Sequence, residues 1–522
     1  MNRKSLLARG VLLGYGALAV QIFYSIASIP LALSYLSHAE FGMWGLVTTL
    51  VNYLGLIEVG MTNGFQRHLF DCKEDKNDGR YGRLFTASLV ALGLAAAIVL
   101  VIGLIGIWAA IPIYRIPPEL KDRFVWVMVA QVLLSSASMA TRMLGSPLYI
   151  HQRHDLMQVC QIILFFIYYG VLHMGFHAGW GLYAMIANTV AGFIWVLIFN
   201  TVACKKLKFY PPAGTWGWPN PDEFKSVFRY SRDIFLVQVG NQFRSGLPML
   251  LLPRFLGLDA AATWTVCTRT FTILTQIVSK PYDYGLPMLC EIYARGEESK
   301  MAKRWTEITQ LVLALSVCVF AVGAANNGHF VRVWVGGQLA WASATDWWIA
   351  LSCIVAAIAA AAFGIVGFHK QMGFIRFVPL LESALIGFNA WWMVGRWGVV
   401  GLIVATMASS LFGSIGFGIH HLATITRTPV SKLIHEALWR PLRVLPLTAI
   451  LAWASSYFGN LLPGFAGLLL SAGIGSLLAG SVTVLFGVST DVRNELFQLL
   501  RRVIKRSRGS TSLLQAEEAL TR

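Results

Sequence analysis

The chain has 522 residues, of which 56% are hydrophobic and only 13% charged, and its mean hydropathy is positive. That balance excludes a soluble globular protein, and apolar runs that recur to the end of the chain call for a polytopic membrane protein. A formal charge of +17 would suggest a nucleic-acid partner in a soluble chain. Here the charge has to be sorted by membrane side first, and no nucleic acid is expected.

Apolar runs separated by polar clusters predict an all-α integral membrane protein of about fourteen spans. They lie near 11–36, 41–66, 84–111, 124–148, 157–175, 179–203, 231–255, 261–288, 306–325, 346–368, 375–395, 398–421, 444–460 and 465–488. The first follows Arg3, Lys4 and Arg9 but is too long for a secretory signal core, so it reads as a retained helix. An even count puts both termini on one side. Loops on that side hold 32 Lys and Arg against 6 on the other, which places both termini in the cytoplasm. The largest external loop, 326–345, is short, and Trp334, Trp341, Trp347 and Trp348 read as interfacial anchors.

The connector 204–230 carries Pro211, Pro212, Pro219 and Pro221 and reads as a cytoplasmic linker between two halves, 1–203 and 231–422. Two extra helices in 423–488 and a basic tail over 489–522 complete the expected organisation. A shift of 220 residues lays Tyr35-Leu36-Ser37 on Phe255-Leu256-Gly257 and Trp44 on Trp264, as parallel six-span repeats require. The same shift sets Tyr24 against Arg244 and Thr49 against Arg269, so the arginines belong to one half only.

Five charges between Tyr230 and Glu291 are the first candidates for function: Asp233, Arg244, Arg269, Lys280 and Asp283. A charge at the centre of a spanning helix costs about 2.5–3.5 kcal/mol on insertion scales. Arg244 lies 13 residues before Gly257 and Arg269 lies 12 after it. With a turn at Gly257, two helices rising about 1.5 Å per residue would put both guanidinium groups at one depth, about 18–20 Å below the turn. Two arginines at one level repel unless an anion lies between them, and a guanidinium fork suits phosphate. The competing reading bonds each to backbone carbonyls or to a carboxylate elsewhere. Lys280 is expected to pair with Asp233 or Asp283, Glu58 with Arg142 across the first half as a brace or a gate, and Glu382 is a further gate or proton site.

Seven scattered cysteines without a Cys-x-x-Cys read as reduced thiols, and the histidine pairs 151/154 and 173/177 lack the ligands to complete a metal site. No metal and no other cofactor is expected. No Gly-x-x-x-x-Gly-Lys-Ser/Thr loop is present, so coupling would come from a gradient, the membrane potential or downstream consumption.

The first hairpin contains Tyr35-Leu36, then Glu40-Phe41-Gly42 and Trp44, then Leu54 to Gly60 as LGLIEVG, ending at Gln66-Arg67. This resembles the opening of the polysaccharide-synthesis, O-antigen flippase branch of the multidrug/oligosaccharidyl-lipid/polysaccharide (MOP) exporter superfamily. Glu58 stands where Asp is more usual in that pattern. The resemblance implies two six-helix repeats in a V-shaped bundle, with a central cavity that opens alternately to each side of a bacterial plasma (inner) membrane. It also implies transport rather than enzymatic activity. The substrate would be a polyprenyl-pyrophosphate-linked oligosaccharide flipped from the cytoplasmic to the external leaflet, with membrane lipids and glycan polymerase or assembly proteins as partners. On that expectation Arg244, Arg269, Lys280 and Arg142 would meet substrate, while Glu58, Asp233, Asp283 and Glu382 would gate or pair. The alternatives are a cation-coupled drug exporter of the same superfamily and a membrane glycan polymerase or transferase.

Overall fold

The computed structural model describes residues 3–72, 79–218, 221–336, 339–365, 373–494 and 497. Among them no strand occurs. The first helices are α1 (Arg3–Leu33), α2 (His38–Leu54), α3 (Leu56–Asp71), α4 (Arg80–Tyr114), α5 (Pro118–Thr141), α6 (Ser146–Ile150), α7 (His154–His177) and α8 (Tyr183–Lys206). They are followed by α9 (Pro221–Leu256), α10 (Leu258–Cys267), α11 (Arg269–Ala294), α12 (Glu298–Val335), α13 (Ser343–Phe363) and α14 (Val378–Ser410). The last are α15 (Gly416–Thr426), α16 (Val430–Ile434), α17 (Arg440–Arg443), α18 (Leu445–Ser456) and α19 (Gly464–Phe486).

Among the described residues, nine helical stretches are long and apolar enough to cross a membrane. One of these, Phe374–Thr426, contains Gly398 at φ 56°, where the expected spans 375–395 and 398–421 meet. The expected spans outside the nine have local reasons. The run 41–66 breaks at Gly55 into α2 and α3, and α18 passes after 12 residues into a 3-10 turn, Tyr457–Leu461. The runs 231–255 and 261–288 carry the five charges and fall in α9, α10 and α11. Gly257, the expected turn, sits at φ 87° between α9 and α10, a conformation that favours glycine because it has no Cβ.

Contacts divide the chain into two compact units. The first is Met1–Cys267 with Trp334–Ala340 and Met372–Ser409; the second is Thr268–Val333 with Trp341–Gln371 and Ser410–Arg522.

In the first unit α1 packs along α7, α4 along α5, α3 along α9, and α2 against α10. The start of α2 is fixed by a capping box in Ser37-His38-Ala39-Glu40. The Ser37 hydroxyl accepts the Glu40 N–H at 3.2 Å, and the Glu40 carboxylate accepts the Ser37 N–H at 3.0 Å. Arg123 pairs with the same carboxylate. One turn on, α2 meets α10 backbone to backbone. A Cβ built on Gly42 would lie 2.0 Å from the Leu258 carbonyl oxygen and 3.3 Å from the Ala262 nitrogen. Ala262 is also the residue that the 220-residue shift lays on Gly42, so the contact joins corresponding positions of the two hairpins. Phe41 is buried beside it, and both motif residues are packing elements.

The early part of the connector is also tied down. Tyr210 donates its hydroxyl to the Leu144 carbonyl at 2.7 Å and Tyr81 donates to the Phe209 carbonyl at 3.1 Å. The Trp216 ring stands edge-on to Phe85 at 5.6 Å.

In the second unit α18 and α19 pack on each other, and α12 joins their core through Cys318, Ala321 and Val322 against Ala452 and Ala479. The buried stripe of α19 is Gly467, Ser471, Gly475, Ala479 and Thr483, one small residue every four. Small side chains let helix backbones approach where lipid gives no hydrophobic drive between them. Leu469, Leu477 and Phe486 are exposed on the same helix. Of the expected basic tail, Arg493 donates to the Leu485 carbonyl at 3.1 Å; Arg501, Arg502, Lys505 and Arg506 lie outside the described residues.

Candidate functional site: a polar cavity and two ion pairs

A cavity of about 850 Å³ lies within the first unit, walled by α2, α3, α5, α6, α7 and α8, with Gln242 from α9. Among the described residues, Glu58 and Arg142 supply its only charged side chains. They meet there: Arg142 Nε is 2.5 Å from Glu58 Oε1 and Arg142 Nη2 donates to Oε2 at 3.3 Å, a two-pronged contact. Each charge also stands at the helix end that suits it. Glu58 is in the first turn of α3, after the break at Gly55, and Arg142 caps α5 as the chain passes into a 3-10 turn, Arg142–Leu144. Glu58 is buried at 7% exposure while the Arg142 side chain is 54% exposed. The pair expected from sequence is therefore formed, and it leaves the cavity with no net charge from its lining.

The rest of the polar lining is amide and hydroxyl. Gln66 donates to the Ser146 hydroxyl at 2.9 Å and Gln131 to the Thr189 hydroxyl at 3.1 Å. The side chains of Asn52, Gln161 and Asn200 line the same space and have no hydrogen-bond partner among the described residues. Tyr149, Tyr168 and Phe193 add ring surface. A neutral wall of unused donors and acceptors interleaved with rings suits a hydroxyl-rich ligand. Sequence reasoning missed these amides. The available signal was an Asn or Gln inside an apolar run, as at Gln131, Gln161 and Asn200.

The second ion pair joins α9 and α14. Arg244 Nη1 is 3.4 Å from Glu382 Oε1; Glu382 is fully buried and the Arg244 side chain is 35% exposed. The competing reading for Arg244, a carboxylate elsewhere in the bundle, thus describes one of its contacts. Arg269, half-buried, is the first residue of α11 after the break at Thr268, and it belongs to the second unit, whereas Arg244 belongs to the first. Lys280 and Asp283 form a loose pair one turn apart on α11, at 3.8 Å, both well exposed. Asp233 is on α9, but its side chain lies outside the described residues. Among the described residues, no group of three or more His, Cys, Asp and Glu side chains could hold a metal.

Residues 35–345 match the family described as polysaccharide biosynthesis protein. No curated protein sequence matches the chain. Among solved structures, it is similar to the lipid II flippase MurJ in an inward closed conformation, with a TM-score of 0.66 at 11% identity over 91% of this chain and 98% of that one. An inward-facing multidrug resistance MATE family transporter gives 0.64 at 10% identity, over 78% of this chain and 96% of that one. A MOP superfamily transporter from Pyrococcus furiosus, described as having a binding pocket of reversed polarity, gives 0.57 at 10% identity over 81% and 97%. These likenesses are of fold. The chain belongs to the polysaccharide biosynthesis protein family and has the fold of the MOP superfamily transporters.

Proposed function

We propose that the protein flips a polyprenyl-pyrophosphate-linked oligosaccharide from the cytoplasmic to the external leaflet of a bacterial inner membrane by alternating access. The observation that carries this reading is the cavity of about 850 Å³, walled by amides, hydroxyls and rings, whose one ion pair is closed on itself. Its volume is within the range of about 300–1,000 Å³ that binds small molecules. Sugar rings offer a hydroxyl at nearly every carbon and satisfy such a wall at many points. Two further supports are the family description and the larger share of this chain taken in by the lipid II flippase than by the inward-facing MATE transporter. A cation-coupled exporter would need a carboxylate free to bind its cation, and the cavity carboxylate is held by Arg142.

In this reading the sugars occupy the cavity of the first unit. The pyrophosphate is met by arginine, for which Arg244 and Arg269 are each put to the test, the polyprenyl tail stays in lipid, and the halves 1–203 and 231–422 move against each other. Each negative charge moved outward across an inside-negative membrane gains about 2.3 kcal/mol per 100 mV if it crosses the whole field, which favours export.

Two sets of variants test the assignment in cells. Arg244→Ala and Arg269→Ala are each expected to abolish surface glycan while protein remains in the membrane, at a reduced level for Arg244→Ala because it removes a partner of the buried Glu382. Full export by both would remove the arginines from the site. Gln161→Leu with Asn200→Leu fills the cavity wall with apolar groups of similar size. It is expected to reduce export of the glycan at least about tenfold, on two lost hydrogen bonds of roughly 1 kcal/mol each. Measuring surface glycan against membrane protein level separates that loss from misfolding.

A further inference from the structure

A second cavity, of about 590 Å³, lies in the second unit at helix ends predicted to face the cytoplasm. Three distant stretches build it: the start of α12, the elbow from Thr426 to Arg440, and residues 489–491 after α19. Its floor is locked by Gln310, 3% exposed, which donates to the Glu436 carbonyl and accepts the Ser489 N–H at 3.0 Å. One buried amide thus fixes all three walls, so the hollow is a built feature rather than a gap between mobile side chains.

Its rim is basic. Lys303, Arg427, Lys432 and Arg440 line the hollow with Glu307, Glu436 and Asp491, and Arg427 also pairs with Glu298 at 3.4 Å. Glu307 is taken by Arg304 at 2.6 Å, which leaves Lys303 at 3.9 Å. Glu436 stands 4.0 Å from Lys432, and Arg440 has no carboxylate partner among the described residues. Two of these cations stand at backbone irregularities. Arg427 is held at φ 50°, a left-handed conformation disfavoured for any residue with a Cβ. Arg440 directly follows a π-helical turn, His435–Trp439, an element that recurs at functional sites. Next to the cations Val430, Ile434 and Trp439 are exposed, an apolar and indole fringe suited to the depth where acyl chains give way to headgroups.

We infer that this hollow is a binding site for the phosphate of an anionic phospholipid headgroup, with the cations on the phosphate and the Trp439 fringe against the acyl chains. The site is separate from the transport cavity, and the inference stands whether or not the substrate is a lipid-linked sugar. Cations gathered between helices on the cytoplasmic side are the general means of holding such headgroups, each contributing about 1 kcal/mol near an anionic surface.

Native mass spectrometry of the full-length protein, titrated in detergent with dioleoyl phosphatidylglycerol or dioleoyl phosphatidylcholine, tests it. The wild type is expected to retain the glycerol lipid in preference to the choline lipid. Lys432→Gln with Arg440→Gln should hold phosphatidylglycerol about 30-fold more weakly, the equivalent of two such cations. The charge-conserving exchange of Lys432→Arg with Arg440→Lys should bind as the wild type does, which guards against a trivial folding defect. Inorganic pyrophosphate at the same concentration is expected to leave the lipid in place. Equal retention of the two lipids, undiminished binding by the Gln variant, or replacement of the lipid by pyrophosphate would overturn the assignment.

Discussion

Replacing Arg142 by alanine is expected to destabilise the protein by about 3 kcal/mol, and replacing Glu58 by alanine by only about 1 kcal/mol. The two residues form one contact, yet the costs differ because their surroundings differ. Glu58 is 7% exposed, and without Arg142 its carboxylate is left in a poorly hydrated wall with no partner among the described residues. Arg142 is 54% exposed toward the cavity, so without Glu58 its guanidinium can be hydrated. Removing one member of a fully buried pair costs about 3–5 kcal/mol, and the open side of Arg142 puts this case at the low end. Joint replacement by Gln at both positions should recover most of the Arg142→Ala loss, because two amides can satisfy each other. Denaturant or thermal unfolding in detergent checks the order. Equal costs for the two single variants would show that the carboxylate is better solvated than its burial implies.

Gly42→Val is expected to prevent accumulation of folded protein. The added Cβ would stand 2.0 Å from the Leu258 carbonyl oxygen, against backbone on the α10 side that cannot turn aside as a side chain would. Relief requires α2 and α10 to separate, and the cost exceeds the about 1–3 kcal/mol of ordinary core overpacking. Gly106→Val, on α4, is the control, since a Cβ there meets nothing within 4 Å. Membrane levels by quantitative blotting, with size-exclusion profiles of whatever is extracted, distinguish the two. Wild-type behaviour of Gly42→Val would mean that the α2–α10 crossing is looser than the contact indicates.

These two sites show what could be read in the sequence and what could not. The helical membrane class, the turn at Gly257 and the Glu58–Arg142 pair follow from local signals: long apolar runs, a glycine between them, and rare charges at matching depths. The acidic residue of the Glu40-Phe41-Gly42 motif also had a local explanation, since Ser-x-x-Glu before an apolar run is a capping box. The partner of Arg244 was different. Glu382 stands out in the sequence as a gate or proton site, but 138 residues separate the two and no periodicity links α9 to α14. The amides of the cavity carried still less signal, because an uncharged Gln or Asn in a span barely lowers hydropathy. Only packing shows that Gln131, Gln161 and Asn200, from three helices, face one space.

The same packing changes the weight of the two charge systems. Sequence put the function on two arginines in one hairpin, whereas the structure holds one of them against a fully buried carboxylate and shows a neutral, hydroxyl-and-amide chamber walled mainly by α2, α3 and α5 to α8. A substrate with an anionic head and an uncharged polar body uses both, and a lipid-linked oligosaccharide has that form.

The most direct measurement is transport by the purified protein in sealed vesicles, with a fluorescent polyprenyl-pyrophosphate oligosaccharide in one set and a lipophilic cationic dye in another. The account predicts protein-dependent movement of the lipid-linked sugar across the bilayer, diminished by Gln161→Leu with Asn200→Leu, and no protein-dependent movement of the dye. Movement of the dye with none of the lipid-linked sugar would contradict it.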